Sequence, residues 1–406
     1  MKNTEKIWKY MLDNLFSKET NLFYDYIVPE KRGDFSSYLP SVDLIKKGIP
    51  NPCGWGTGME DSMINGSVML EAALTGYNVT KDERLLDLAK EFFKGLKLCA
   101  SISESEGFLA RSVSPIDGKT HYFDSSRDQY THWIFSAVKY FESGYASSEE
   151  KDFIKKALIG FARRGKKNVC EEKGWNLLRE DGGTGFVTGL WNAAAHEMMR
   201  LPMFYLAAWK IGGDESFKED YLSFRDEGLV ASEAIVYRDN MRPFAFGQMQ
   251  LSLKFCYDHD EDSAFKERCL KLLKQNGEYG LREAVKRAKE NLIKENFDII
   301  HTKATPWNET PAWYNGYLSD YPYFVPMHFK SLFPQGLKGA WHIRDIGDAA
   351  SVYLNSPECE YIEELLNALE SAMEYVDTEK YTADAVCYLL TPYYKLLKMK
   401  NSTDNM

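Results

Sequence analysis

Apolar and polar positions along this 406-residue chain follow one recurring pair of patterns. A glycine or aromatic residue marks a start, and a helix-length segment apolar on nearly every face follows. After a short polar turn comes a second segment, with helical apolar spacing on one side and charge on the other. The starts fall near Gly58, Ser126, Leu190, Phe244, Lys338 and Thr382. Apolar residues at helical spacing predict helices, here paired as Met59 to Tyr77 with Lys81 to Cys99, Arg127 to Ser143 with Glu149 to Arg164, and Trp191 to Lys210 with Glu215 to Ser232. Next come Phe244 to Tyr257 with Ser263 to Ile293, expected to break near Asn276 and Gly280, and Ala340 to Leu354 with Glu360 to Tyr375. Thr382 to Leu397 has no partner after it, and residues 3–17, with Ile7, Met11 and Leu15 on one face, supply one from the opposite end of the sequence.

A helix apolar on most faces is buried, and a striped one lies at the surface. The first helix of each pair, as Ala137, Val138 and Tyr140 or Ala193, Ala194 and Leu206 show, therefore belongs inside. A period of roughly 65 residues is too long for the common short solenoid repeats. The pattern predicts an all-α fold, an (α/α)6 toroid of six hairpins in which the first and last helices close the ring. All inner helices then begin at one mouth. No linker divides the chain, so residues 1–406 are expected to form a single domain. The stretch 301–335 carries Trp307, Trp313, Tyr314 and several further aromatics among its prolines. A long loop of this kind is usually functional, and it is expected to cover the mouth as a lid or sugar platform.

The net charge of −10, with Lys and Arg interspersed among Asp and Glu, leaves no basic footprint for nucleic acid. No apolar run has the length of about 20 residues that a membrane span needs. Seven scattered cysteines show neither zinc spacing nor a disulfide framework. A reduced, cytoplasmic protein is expected, or a periplasmic one if a leader has been removed, as a monomer or small homo-oligomer.

Polar chemistry concentrates at the first two starts, Gly54-Trp55-Gly56-Thr57-Gly58-Met59-Glu60-Asp61 and Ser126-Arg127-Asp128-Gln129-Tyr130. Thr57 with Glu60 and Ser126 with Gln129 match the capping box, in which both side chains satisfy orphan amides. Glu60 and Gln129 are thus expected to be caps. Asp61 and Asp128 are not required by that motif, although a first-turn Asp gains a little from the helix dipole. Two carboxylates at neighbouring helix starts would share a cleft, the usual apparatus of glycoside cleavage. Arg111 and Arg127 are candidates to hold a substrate carboxylate. Trp55, Trp191, Trp313 and Trp341 are candidate sugar platforms, and His132, His196 and His342 candidates for acid/base or binding roles. The histidines form no HxxxH or HExxH pair, so no metal is expected, and no cofactor.

The hairpin plan, the two aspartates and the aromatic mouth together resemble the unsaturated glucuronyl and rhamnogalacturonyl hydrolases of the six-hairpin glycosidases. The Trp55 to Asp61 and Ser126 to Tyr130 segments are similar to those of an uncharacterised bacterial subgroup. In that family two aspartates on neighbouring inner helices are central, and one protonates and hydrates the C4–C5 double bond of an unsaturated uronic acid. The resemblance places those roles at Asp61 and Asp128 and implies a small uronic-acid-containing oligosaccharide as substrate. A sugar epimerase moving a proton with His132, His196 or His342, and a non-catalytic glycan-binding protein, are the alternatives.

Overall fold

A computed structural model describes residues 2–238, 241–309 and 335–403. Its twelve long helices, numbered here in chain order, are α1 (Lys2–Asn14), α2 (Ser62–Thr80), α3 (Glu83–Ser101), α4 (Arg127–Glu142), α5 (Ser148–Asn168), α6 (Arg200–Lys210), α7 (Phe217–Glu233), α8 (Pro243–His259), α9 (Ser263–Asn291), α10 (Gln335–Leu354), α11 (Glu363–Tyr375) and α12 (Leu390–Thr403). The fold class is all-α. Two short antiparallel hairpins, β1 (Phe16–Ser17) with β2 (Leu22–Phe23) and β3 (Asn176–Leu178) with β4 (Thr184–Gly189), were not predicted.

Local chemistry sets several starts. Asp82 accepts the Arg84 amide at the head of α3, Asp262 that of Ala264 at α9, and Ser147 with Glu150 forms a complete capping box at α5. The even-numbered helices are buried on nearly all faces: α2 hides Met63, Ile64, Met69, Leu70, Ala72, Ala73 and Leu74. The odd-numbered α3 buries only a stripe, with Leu85, Ala89, Phe92 and Leu96 inward. Leu366 on α11 is buried, and Leu88 and Phe153 are half-buried against the same core.

Each of α2, α4, α6, α8 and α10 packs on the helix that follows it, and Trp8 Nε1 of α1 donates to Tyr394 OH of α12 at 3.0 Å. The buried helices also touch one another in sequence, α2 on α4, α4 on α6, α6 on α8, α8 on α10, α10 on α12 and α12 back on α2. The neighbour relations form a closed circuit. One contiguous apolar cluster runs through it from Ile7 to Leu396.

Several elements differ from expectation, among them α12, which begins at Leu390 rather than Thr382, after a 3-10 turn over Ala385–Leu389. Helix α2 begins at Ser62, because glycines 54, 56 and 58 all take positive φ and keep the chain in turns as far as Asp61. Helix α6 begins only at Arg200, since Leu190 N still pairs with Trp175 O (2.9 Å) beyond β4 and Asn192 adopts a left-handed φ of 50°. Helix α9 runs unbroken through Asn276 and Gly280. Asn276 satisfies itself there, donating to Gln250 Oε1 (3.1 Å) and accepting from Tyr237 OH (2.7 Å). Gly280 lets α10 approach, because a Cβ would lie 2.6 Å from Ala349 O.

Gly347 plays the equivalent part on α10, where a Cβ would meet Tyr388 O at 2.5 Å. Gly347→Ala is expected to force α10 from the 385–389 turn and destabilise the protein by about 1–3 kcal/mol, read as a lower denaturation midpoint at unchanged m-value.

Of the aromatic loop, residues 310–334 lie outside the described residues, and with them Trp313 and Tyr314. Trp307 is buried, its amide donating to Tyr26 OH at 3.2 Å. All seven cysteines are free thiols. No described helix is long and apolar enough to cross a membrane.

Candidate functional site

Where the buried helices begin, their N-terminal turns surround a cavity of about 540 Å³. Asp61, Asp128, Arg111, Arg127, Trp55, Trp341 and His196 all line it. Of the remaining sequence candidates, Trp191 is packed in the core against Phe224, with ring centroids 4.7 Å apart. His342 lies off the cavity wall, with Nδ1 2.9 Å from Asn291 Oδ1 of α9. His132 borders a smaller chamber of about 40 Å³ below, where burial first and then the charge of Arg344 hold its pKa down at about 4. Both corrections have one cause, namely that a helical turn carries a residue several ångströms along the axis and around it. Trp191 is displaced because the helix assigned to it starts nine residues later.

Asp61 immediately precedes α2. Its Oδ1 accepts from Gln129 Nε2 at 3.0 Å, and guanidinium groups flank it at longer range, Arg111 Nη1 at 3.8 Å and Arg344 Nη1 at 3.7 Å. The expected capping roles are thereby corrected. Thr57 Oγ1 donates to Gly54 O, so Thr57 and Glu60 form no box, and the Glu60 side chain faces the cavity. Ser126 does cap α4, accepting from Gln129 N at 3.4 Å, but the Gln129 amide reaches away to Asp61 and to Glu60 O (3.2 Å).

Asp128 is bonded to Arg200 Nη1, with Arg127 Nε at 4.0 Å. Burial opposes its charge, but Arg200, then Arg127, outweigh it and hold its pKa at about 2. Behind it lies a network that sequence reasoning missed. Glu197, 3% exposed, accepts from Arg127 Nη2 (2.6 Å) and lies at ion-pair distance from Arg200 Nη2 (2.6 Å) and His196 Nε2 (2.9 Å). Arg127 also donates to Gly189 O (3.0 Å), so its fork is committed to the protein rather than free for a substrate carboxylate. Arg111 is the less occupied guanidinium, with a single long hydrogen bond from Nη1 to Glu60 O (3.4 Å) among the described residues, against two shorter ones from Arg127.

Two further carboxylates form the wall beside Asp61. Asp25 accepts the amides of Glu60 (2.7 Å) and Asp61 (3.0 Å), and Asp384 accepts Asn65 Nδ2 at 2.7 Å. Burial is the main cause raising both, and like charges reinforce it; Asp384 reaches about 7 despite the pull of Arg344 and Asn65. Glu60 is likewise pushed well up by burial and then by the charge of Asp61. The lining thus holds six carboxyl groups against Arg111, Arg127, Arg200, Arg242 and Arg344.

Aromatic surface completes the wall. Trp55 meets Phe186 of β4 edge-on at 5.0 Å, and the Arg242 guanidinium lies 4.5 Å from the ring centre of Trp341. No group of His, Cys, Asp and Glu among the described residues has the arrangement of a metal site. Sequence could have signalled Glu197 and Arg200 only through their three-residue spacing at a helix start; nothing local marks Asp25 or Asp384.

No protein-family model matches the chain, and no curated protein matches it. Among solved structures it is similar to a sugar epimerase from a ruminal bacterium, at 14% identity and a TM-score of 0.47 over 99% of each chain, a likeness at which neither substrate nor reaction transfers.

Proposed function

We propose that this chain is a carbohydrate-active enzyme that cleaves a small uronic-acid-containing oligosaccharide by carboxylate chemistry. The observation that carries the reading is one cavity lined by Asp128, held low by Arg200 and Arg127, and by Glu60 and Asp384, both raised by burial, between two half-buried tryptophans. A volume of about 540 Å³ is within the range of small-molecule sites and suits a ligand of one or two sugar rings. Trp55 and Trp341 offer apolar faces to those rings. Arg111, assisted by Arg344, is the group to receive a carboxylate.

Asp128 stays charged at any working pH and is no proton donor. Its role is to stabilise positive charge developing on the sugar and to orient the attacking water. Asp61, tethered by Gln129 between two arginines, positions the reacting carbon's substituents. The ring and its partners are read as a six-hairpin toroid acting alone, without nucleic acid or membrane.

The epimerase reading rests on His196, whose Nε2 is held by Glu197 as a base is held for proton abstraction. Inversion by proton exchange requires a second group on the opposite face, and His196 is the one histidine lining the cavity among the described residues. Incubation with saturated and unsaturated uronides, followed by chromatography of released sugars, is the deciding measurement. Release from an unsaturated uronide is expected. Interconversion of free sugars without release would move the chain to the epimerase class, and binding without conversion to the glycan-binding class.

A further inference from the structure

We infer that Asp384 is the proton donor of this site, set beside the Asp25 carboxylate by Asn65, and that neither Asp61 nor Asp128 carries the proton. The inference rests on the enzymatic reading above for its chemistry but not for the location of the proton. Asn65 lies 0% exposed and gives its one NH₂ group to both acids, at 2.7 Å to Asp384 Oδ2 and 3.5 Å to Asp25 Oδ1. The backbones are joined as well, Asp384 N donating to Asp25 O at 3.1 Å. Two buried carboxyls joined through a single amide group repel one another when both are ionised.

The two acids differ in what they accept. Asp25 receives two backbone amides, which favour its charged form; Asp384 receives a single side-chain amide. The proton is therefore placed on Asp384, which like Asp25 lines the cavity but has fewer amides holding it charged. Its surroundings agree. Asp25 comes from the early segment, Asp61 from the start of α2, and Arg344 from α10, whose charge is divided among Asp61, Asp348 and Asp384. Tyr10 of α1, with Tyr381, Cys387 and Tyr388 of the same segment as Asp384, are all raised by burial and remain neutral. Burial first, and the charge of Asp61 with it, raise Asp384 to about 7 against the pull of Arg344 and Asn65.

In the cleavage step the Asp384 O–H bond breaks as its proton passes to the departing glycosidic oxygen. The carbon–oxygen bond breaks with its electron pair going to that oxygen. Water oriented by Asp128 bonds to the carbon, and its surplus proton restores the Asp384 carboxyl. One glycoside and one water give two sugars, with no other reactant.

The test has two independent parts. In protein carrying ¹³C-labelled aspartate, carboxyl NMR from pH 4 to 9 is expected to show a resonance titrating near 7, absent in Asp384→Asn and unmoved in Asp128→Asn. Asp25→Asn removes the neighbouring charge and should shift that midpoint downward. A midpoint unmoved in Asp25→Asn, or a wild-type Asp384 that titrates below 5, overturns the inference whatever the protein's substrate. For turnover of unsaturated uronides, Asp384→Asn is expected to lower kcat by at least ~10²-fold with KM little changed, and Asp384→Glu to recover part of it. Activity lost in Glu60→Gln but kept in Asp384→Asn would also overturn it. Failure of the wild type on every uronide defeats the proposed function instead, and leaves the NMR result to judge the proton.

Discussion

Asp128→Asn is expected to lower sugar release by at least ~10²-fold and, unlike a purely catalytic substitution, to lower stability too. Asparagine keeps the shape but loses the charge that meets Arg200, a residue only 1% exposed. Hydrogen bonds to charged groups are worth about 1.5–3 kcal/mol, and Glu197 remains to hold Arg200, so the loss should fall in that range. The pH dependence carries a recognisable sign. The Asp128 pKa is depressed from 3.8 to about 2, so its stabilisation is complete above the ordinary value and disappears as pH falls between the two. Acid titration of wild type and variant should therefore give curves that converge toward pH 2. Unchanged turnover together with parallel acid curves would show that Asp128 serves neither role.

Glu197→Ala is expected to be the most damaging substitution in the molecule for stability. It leaves Arg127 and Arg200, with the His196 ring, gathered around a space from which their common acceptor has gone. Removing one partner from a buried ion pair costs about 3–5 kcal/mol. The measurement is urea denaturation, with Glu197→Gln as the companion variant that keeps the hydrogen-bond acceptor without the charge. A loss in Glu197→Ala below about 1 kcal/mol would mean that water reaches the arginines and that the network is not buried in solution; pairs open to solvent are worth that little.

The helical pairs were legible because burial on all faces leaves no alternation to misread, as α2 and α4 show. Asp61 and Asp128 were legible by subtraction, since capping left them unexplained. Glu60 was misread for a physical reason: its spacing from Thr57 fits the box, but the glycine turns postpone the helix, so the carboxylate never reaches an orphan amide. His196 was placed near the mouth although the helix assigned to it begins later, because the turn preceding α6 still delivers it there. The Asp25–Asn65–Asp384 cluster was invisible. Its members come from segments far apart in the sequence, and each alone resembles an ordinary surface or cap residue.

The segment around Asp25 is stitched to that around Asp384 by a bridge between Tyr26 and Ala383 and by Ile27 N donating to Thr382 O at 2.8 Å. One wall of the cavity is thus built from two segments far apart in the sequence. Until Asp384 and the helix after it have been made, Asp25 lacks the acid that Asn65 holds beside it, α12 is missing from between α10 and α2, and that wall is unfinished. Completion of the cavity therefore waits on synthesis of the later segment, when the circuit of helices gains α12.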